Sequence, residues 1–181
     1  FLGPQTAKWT AEALVVTFSA VYLASAAYSV IVLAFVQFVN IPMLTAAERA
    51  EPGRSLIEVS RQPTYRVALA SSVFGYAVMT LTMSATPLAM LACGFKFSDS
   101  ATVITAHVIG MFLPSFFTGH LITRFGVLPI IILGAFTSAA CALTNLAGID
   151  FYNFFYGNIL VGVGWNFMYV GGSTLLTTVY R

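Results

Sequence analysis

The chain has 181 residues, of which 59% are hydrophobic and only 8% are charged, and its mean hydropathy is +0.89. A soluble domain carries about 25% charged residues. This composition therefore excludes an ordinary soluble protein and indicates a bilayer, where lipid covers the apolar surface. The net charge at pH 7 is only +2, so we expect no nucleic-acid partner.

Apolar stretches long enough to cross a bilayer recur along the chain. A spanning helix needs about 20 mostly apolar residues, and five stretches meet this requirement. They cover residues 13–39, 67–92, 100–122, 127–147 and 153–179. Ahead of them, residues 1–4 resemble the end of an earlier helix, and the missing initial Met suggests a piece of a longer protein. The predicted fold class is all-α, a polytopic bundle of membrane helices.

The connections between the spans are short, except for the polar stretch at residues 41–66. Pro52 and Gly53 interrupt helix formation there, and a short surface helix is predicted at residues 55–61. Successive loops between spans lie on opposite sides of the membrane. This places six of the eight Lys and Arg residues on the same side. These six are Arg49, Arg54, Arg61, Arg66, Arg124 and Arg181. Basic loops stay in the cytoplasm, so the chain is predicted to enter from outside and end inside.

His107 is the most informative polar side chain within a predicted span. An ionisable group in a membrane is costly, so it usually faces the bundle interior or a wet cavity. The residue is either proton-sensitive or substrate-contacting, since histidine titrates near neutral pH, or it holds a neighbouring carbonyl or hydroxyl. The sequence leaves both roles open. His120 lies near the predicted cytoplasmic end and suits an interfacial role.

Asn166 and a row of side chains along one face of the second span, called the stripe below, are further candidates for contact with a substrate. Asn166 lies near the middle of the last span, where an amide needs hydrogen-bond partners. It either binds substrate or bonds to another helix. The stripe places hydroxyl, thioether and aromatic groups at helical spacing, which suits a cavity for amphipathic solutes and helix packing almost equally. Its members are Tyr76, Met79, Thr82, Met83 and Thr86.

Prolines and small residues within the spans indicate how the helices bend and pack. Pro87 and Pro114 each remove a backbone hydrogen bond, so we expect kinks at both positions. Gly134, Ser138 and Ala142 recur at four-residue spacing, which lets helices approach closely in lipid. The spacing predicts a compact bundle and carries no information about a substrate.

The common motifs of catalysis and metal binding are missing from the sequence. It contains no Walker loop, no GxSxG elbow, no HExxH pair and no Cys cluster. We therefore expect no enzyme, no catalytic residue, no metal site and no cofactor. The predicted spans also contain no Asp or Glu. Proton coupling would then need an acid elsewhere in the protein or His107, and transport without proton coupling is the third alternative.

The junction between the third and fourth spans carries a recognisable motif, GHLITRFG at residues 119–126. It resembles the major facilitator superfamily signature, Gly-x-x-x-Asp-Arg-x-Gly-Arg-Arg, with Gly119, Arg124 and Gly126 at matching positions. Thr123 replaces the Asp, and the final basic pair is absent. Such decay fits the weaker second copy of the family signature, between helices 8 and 9. The stretches HVIGMFLPSFFTGHLITRFG and GVGWNFMYVGG also look like a bacterial branch of facilitator-type transporters.

The resemblance implies a register for the whole chain. The five spans would be helices 6 to 10 of twelve, in a family whose two six-helix halves rock around a midplane site. Residues 1–40 would end the N-terminal half, residues 41–66 would form the cytoplasmic interdomain loop, and residues 67–181 would begin the C-terminal half. The implied partners are a small-molecule solute, the lipid bilayer and the rest of the protein's own chain, with protons as one candidate coupling ion. We expect a multi-pass protein of the bacterial inner membrane.

The resemblance also implies roles for single residues. Gly119, Arg124 and Gly126 would belong to a cytoplasmic gate. The second and fifth spans would line the cavity, which strengthens the case for polar residues on them. The candidate substrate or cavity residues are His107, Asn166, Thr82, Thr86, Tyr76 and Met83.

The sequence is compatible with three classes of function. The leading hypothesis is a secondary transporter that moves small solutes by alternating access. A more specific version of this hypothesis is proton-coupled efflux of hydrophobic compounds, because the spans are apolar, rich in Met and aromatic residues, and without fixed charge. A polytopic membrane enzyme would need ionisable groups clustered at one depth. A non-transporting membrane scaffold or receptor is the third class.

Overall fold

The computed structural model of the chain describes residues 2–11, 13–14, 16, 19–40 and 55–179. Its helices, in chain order, are α1 (Leu2–Thr10), α2 (Ser19–Val36), α3 (Leu56–Arg61), α4 (Pro63–Ala92), α5 (Phe97–Phe112), α6 (Ser115–Phe125), α7 (Val127–Leu146) and α8 (Phe151–Thr177). Within the described residues, five segments are long and apolar enough to cross a membrane, namely α2, α4, α5 with α6, α7 and α8. The predicted all-α fold class and the five spans are confirmed.

The chain divides into two compact units, residues 2–55 and residues 56–181. In the first unit, the hydroxyl groups of Thr6 on α1 and Tyr28 on α2 are hydrogen-bonded at 2.8 Å. Of the helix end predicted at residues 1–4, residues 2–4 lie in the nine-residue helix α1, and residue 1 lies outside the described residues. α2 buries none of its side chains within the described residues. This exposure suits a helix whose apolar surface meets lipid or further helices.

The polar stretch predicted at residues 41–66 is described only in part, because residues 41–54 lie outside the described residues. The surface helix predicted at residues 55–61 is present as α3. α3 packs against α4, and Val59 on α3 is buried, with its side chain only 2% exposed. α4 begins at Pro63, a position where the missing N–H of proline costs no helical hydrogen bond.

α8 is the centre of the second unit, and α4, α5 and α7 all pack along it. Glycines allow the closest of these contacts. A Cβ atom on Gly164 of α8 would lie 2.8 Å from the Gly134 carbonyl oxygen and 2.9 Å from Thr137 Oγ1 on α7. Gly134 and Ser138 therefore face α8, as their spacing predicted, whereas Ala142 is exposed. Removing side chains at this crossing lets the two backbones touch.

The two prolines within the spans have different effects. α4 continues through Pro87. The third span, predicted over residues 100–122 with a kink at Pro114, is divided at that residue into α5 and α6. Pro114 has no N–H with which to continue the helical ladder, and its carbonyl accepts the Thr118 N–H at 2.8 Å. The kink predicted at Pro114 therefore takes the form of a break between two helices, and residues 97–125 still make up one candidate membrane span.

Two glycines make the short connections possible. Gly94, just after α4, has φ 83°, and Gly126, between α6 and α7, has φ 89°. A residue with a Cβ atom is strained at such angles, whereas glycine adopts them readily. α6 and α7 therefore turn within the single residue Gly126. The short connection predicted after the third span is confirmed.

Large apolar side chains cover much of the outer surface. Leu81 on α4 is 72% exposed, Phe116 on α6 is 82% exposed, and Phe136 on α7 is 70% exposed. Soluble monomers rarely expose apolar surface so continuously. Together with the five spans, this surface identifies a multi-pass membrane protein whose helices face lipid or further helices.

Candidate substrate site and buried polar networks

One buried network joins α4, α5 and α8 through an amide that the sequence analysis did not select. His107 Nδ1 lies 2.9 Å from the Asn158 backbone oxygen, and Asn158 Nδ2 donates to Thr86 Oγ1 at 3.1 Å. Since a carbonyl oxygen only accepts, the Nδ1 atom carries the proton. His107, Asn158 and Thr86 are all buried. Within the described part of the chain, His107 Nε2 and Asn158 Oδ1 have no hydrogen-bond partner.

A second network is built on Asn166 of α8 and holds the break between α5 and α6. Asn166 Nδ2 donates to the Met111 carbonyl at 2.7 Å and to Ser115 Oγ at 2.6 Å. Its Oδ1 atom accepts the Thr118 hydroxyl at 2.6 Å. Carbonyls near a helix end lack their usual partner, so the amide supplies a donor to the last turn of α5. Of the two roles open to Asn166, the geometry matches bonding to another helix.

Four aromatic rings from α4, α5 and α8 form a cluster. Trp165 and Tyr169 are stacked, with ring centroids 4.9 Å apart and an interplanar angle of 9°. Tyr76 meets both rings edge-on, at 5.9 Å from Trp165 and 6.1 Å from Tyr169. Phe112 lies edge-on to Trp165 at 6.5 Å. Trp165 is buried, whereas the other three rings remain partly open, so the cluster offers aromatic surface to a bound molecule.

The other candidates on α4 line a cavity or pack in the core. A cavity of about 350 Å³ lies beside α4, and its polar lining residues are Thr82, Thr86 and Asn145. Met83 packs against a hydrophobic cluster that includes Trp165. The structure therefore places Thr82 and Thr86 on one cavity, Tyr76 in the aromatic cluster and His107 in a buried network. The predicted stripe does not act as a single surface, because Thr86 is buried and Tyr76 is half exposed.

The predicted gate residues lie at the turn between α6 and α7. Arg124 is exposed in the last turn of α6, with its guanidinium carbon 5.3 Å from the centre of the Phe125 ring. Open space surrounds Gly119, where a Cβ atom would meet nothing within 4 Å. His120 is exposed nearby. Among the described residues, no group of three His, Cys, Asp or Glu side chains could hold a metal ion.

Comparison with known proteins relates the chain to transporters. It is 36% identical to the riboflavin transporter RfnT of Brucella anthropi over 179 residues, which are 97% of this chain and 45% of that protein. It is also 34% identical to the uncharacterized MFS-type transporter YddS of Bacillus subtilis over 106 residues, which are 58% of this chain and 24% of that protein. The chain is a homologue of major facilitator superfamily transporters.

The family resemblance inferred from Gly119, Arg124 and Gly126 is thereby confirmed, and the homologues are transporters rather than enzymes. The chain spans less than half the length of the curated relatives it matches. No family model and no solved structure matches the chain. Within this facilitator homologue, the geometry identifies two buried networks, an aromatic cluster and an exposed turn motif.

Sequence reasoning missed several of the residues that make these contacts. Asn158 carries the same signal as Asn166, an amide within an apolar stretch, and could have been selected on that ground. Trp165 and Tyr169 stand four residues apart, a spacing that places side chains together on a helix. The edge-on partner Phe112 carried no local signal, because its contact depends on how α5 packs against α8.

Proposed function

We propose that the intact protein containing this chain transports riboflavin or closely related flavins by alternating access. The observation that carries the proposal is the 36% identity to the riboflavin transporter RfnT, which extends over 97% of this chain. The aromatic cluster supports the proposal, because aromatic side chains bind planar ring systems by stacking and edge contacts. The absence of charged side chains from the cluster suits a neutral solute.

The proposal assigns the parts of the chain to the two halves of a facilitator. Residues 1–40 end the N-terminal half, residues 41–66 connect the halves on the cytoplasmic side, and residues 67–181 begin the C-terminal half. Rocking of the halves would expose a midplane site to each side in turn. The basic residues on the predicted cytoplasmic side support this orientation in a bacterial inner membrane.

Efflux of hydrophobic compounds is the second candidate function. The observation that favours it is the cavity of about 350 Å³ beside α4, whose lining is mostly apolar, with residues such as Leu81, Ile149 and Phe154. Protons remain the candidate coupling ion, and the Nε2 atom of His107, which has no hydrogen-bond partner among the described residues, supports that assignment. Riboflavin is itself amphipathic, so the two candidates differ mainly in substrate and direction.

Growth of a riboflavin auxotroph tests the proposal. A bacterial strain that neither synthesises nor imports riboflavin should grow on low external riboflavin when it expresses the intact protein. The same strain with an empty vector should need a much higher concentration. Equal growth of the two strains, with the protein detected in the membrane, would contradict riboflavin uptake. Reduced accumulation of a hydrophobic dye in those same cells would then favour efflux.

A further inference from the structure

A groove between α4 and α8 carries different chemical groups at its two ends. We call it the α4–α8 groove. Its side chains recur at helical spacing, so they lie on the facing sides of the two helices. They are Tyr65, Ser72 and Tyr76 on α4, and Trp165, Tyr169 and Ser173 on α8.

The aromatic end of the groove is formed by Tyr76, Trp165 and Tyr169. The stacked pair of Trp165 and Tyr169 is fixed from the side by Tyr76. Tyr76 is 50% exposed and Tyr169 is 40% exposed, while Trp165 beneath them is 8% exposed. A rigid base therefore supports open ring surface, and such a surface favours a planar aromatic ligand.

The other end of the groove is a cavity of about 240 Å³ that carries hydroxyl groups. Tyr65, Ser72 and Ser173 line it together with the apolar residues Ala68, Leu69 and Leu176, and Tyr169 joins it to the aromatic end. Ser173 Oγ donates to the Tyr169 backbone oxygen at 2.8 Å, which leaves its oxygen lone pairs able to accept. None of the residues that line this cavity is charged.

Gly172 brings the two helices together at the base of the groove. A Cβ atom at this position would lie 2.9 Å from the Ala68 carbonyl oxygen and would collide with the hydroxyls of Ser71 and Ser72. The groove therefore arises from the close contact between the two helices at Gly172. Its depth depends on the absence of a side chain at one residue.

We propose that the α4–α8 groove binds a flavin, with the isoalloxazine ring on Tyr76 and Tyr169 and the polyhydroxyl ribityl chain between Ser72 and Ser173. This inference rests on the proposed function, which supplies the class of ligand. The order of chemical groups along the groove, aromatic and then hydroxyl, matches the order along riboflavin. The uncharged lining favours riboflavin over flavin mononucleotide, because burying the phosphate without a cationic partner is costly.

Two flavins separate the contributions of the two ends. Riboflavin carries the ring and the polyol chain, whereas lumiflavin carries the same ring with a methyl group in place of the chain. Binding to the purified intact protein is measured by quenching of flavin fluorescence, which stacking on tyrosine or tryptophan produces. Riboflavin uptake is measured in parallel in cells.

The aromatic end is tested by Tyr169→Ala. This variant should raise the Kd for riboflavin and for lumiflavin by about tenfold, since both lose the stacking surface. Tyr169→Phe should retain wild-type binding of both. The matched control is Tyr152→Ala, which removes a ring from another stacked pair on α8, Tyr152 with Tyr156 at 6.1 Å, and should change neither Kd.

The hydroxyl end is tested by the double variant Ser72→Ala with Ser173→Ala. It should raise the Kd for riboflavin by at least about threefold, because hydrogen bonds to the polyol are lost. Its Kd for lumiflavin should not change. Equal weakening of both flavins would contradict the placement of the ribityl chain.

The outcomes separate this inference from the proposed function. If wild-type protein binds and imports riboflavin while Tyr169→Ala does so equally well, the groove assignment is wrong and the proposed function stands. If folded wild-type protein neither binds nor imports any flavin, the proposed function is wrong and the groove assignment falls with it. A monodisperse chromatography peak for each variant shows that it is folded.

Discussion

Single amides connect the helices of the second unit, and Asn166 makes three such connections. Its side chain bonds to Met111, Ser115 and Thr118 on both sides of the break at Pro114. Interhelical hydrogen bonds in membranes average about 0.6 kcal/mol each. Asn166→Ala should therefore lower the free energy of unfolding by about 2 kcal/mol, measured by denaturant titration in detergent.

The matched control for this prediction is Asn145→Ala. The hydrogen bonds of the Asn145 amide nitrogen go to Cys141 on its own helix, at 3.1 Å to the carbonyl and 3.3 Å to the sulfur. Its removal should cost less than the removal of Asn166. A larger loss for Asn145→Ala would contradict the role given to the α5–α6 break.

His107 allows a test of proton coupling. Its Nδ1 atom holds the Asn158 carbonyl, and a glutamine can donate a similar bond without titrating. If His107 carries the coupling proton, His107→Gln should flatten the pH dependence of transport between about pH 5 and 8, where histidine titrates. The measurement is substrate flux in vesicles at fixed membrane potential. If the pH dependence of transport matched that of wild type, His107 would have only the structural role of bonding to the Asn158 carbonyl.

The sequence allowed the polar residues to be selected but not their partners. Asn166 and His107 stand out because polar groups are rare within apolar spans. Their partners lie far along the chain, as Thr118 does from Asn166 and Asn158 from His107. Such pairings depend on helix packing, which local sequence patterns do not encode.

At the scale of helices, the crossing of α7 and α8 depends on glycine. Gly164→Ala would place a Cβ atom 2.8 Å from the Gly134 carbonyl oxygen, and the helices would have to separate. Overpacking of this kind typically costs about 1–3 kcal/mol. The thermal midpoint of Gly164→Ala in detergent should therefore fall clearly below that of wild type.

Gly119→Ala is the control for the glycine prediction, since a Cβ atom at this position meets nothing within 4 Å. Alanine also favours a helix over glycine by about 1 kcal/mol. The control should match or exceed the wild-type midpoint. A similar loss in both variants would show that close packing is not what Gly164 provides.

The turn between α6 and α7 carries the predicted gate residue Arg124. If Arg124 belongs to a gate, its exposed guanidinium bonds helix ends or an acid there, and hydrogen bonds to charged groups are worth about 1.5–3 kcal/mol. In the intact protein, Arg124→Ala should lower transport by about tenfold or more, with membrane insertion intact. Arg124→Lys is the matched variant that retains the charge. Unchanged flux in Arg124→Ala would contradict the gate assignment.

The helices themselves were largely predictable, because length and hydropathy determine what can cross a bilayer. Which of the two prolines would divide a helix was not predictable. Pro87 and Pro114 carry the same local signal, yet only Pro114 ends a helix. The difference lies in the surroundings, since Asn166 and Thr118 supply hydrogen bonds at the break near Pro114. Tertiary bonds of this kind do not appear in a hydropathy profile.

On the scale of the whole molecule, the described residues contain five candidate membrane spans, and the helices of the second unit carry an apolar exterior and two buried polar networks. The family could be predicted from the sequence, because Gly119, Arg124 and Gly126 retain the spacing of the facilitator signature. The class of solute could not be predicted from the sequence, since the composition favoured hydrophobic compounds in general. The proposal of riboflavin rests on the relationship to RfnT and on the aromatic cluster.

Riboflavin flux through the purified protein tests the central claim most directly. The intact protein is reconstituted into lipid vesicles, and uptake of radiolabelled riboflavin is followed over time. The proposal predicts saturable uptake that depends on the protein and falls when excess unlabelled riboflavin is added. Uptake no greater than in protein-free vesicles, under several ion gradients and with correctly folded protein, would contradict it.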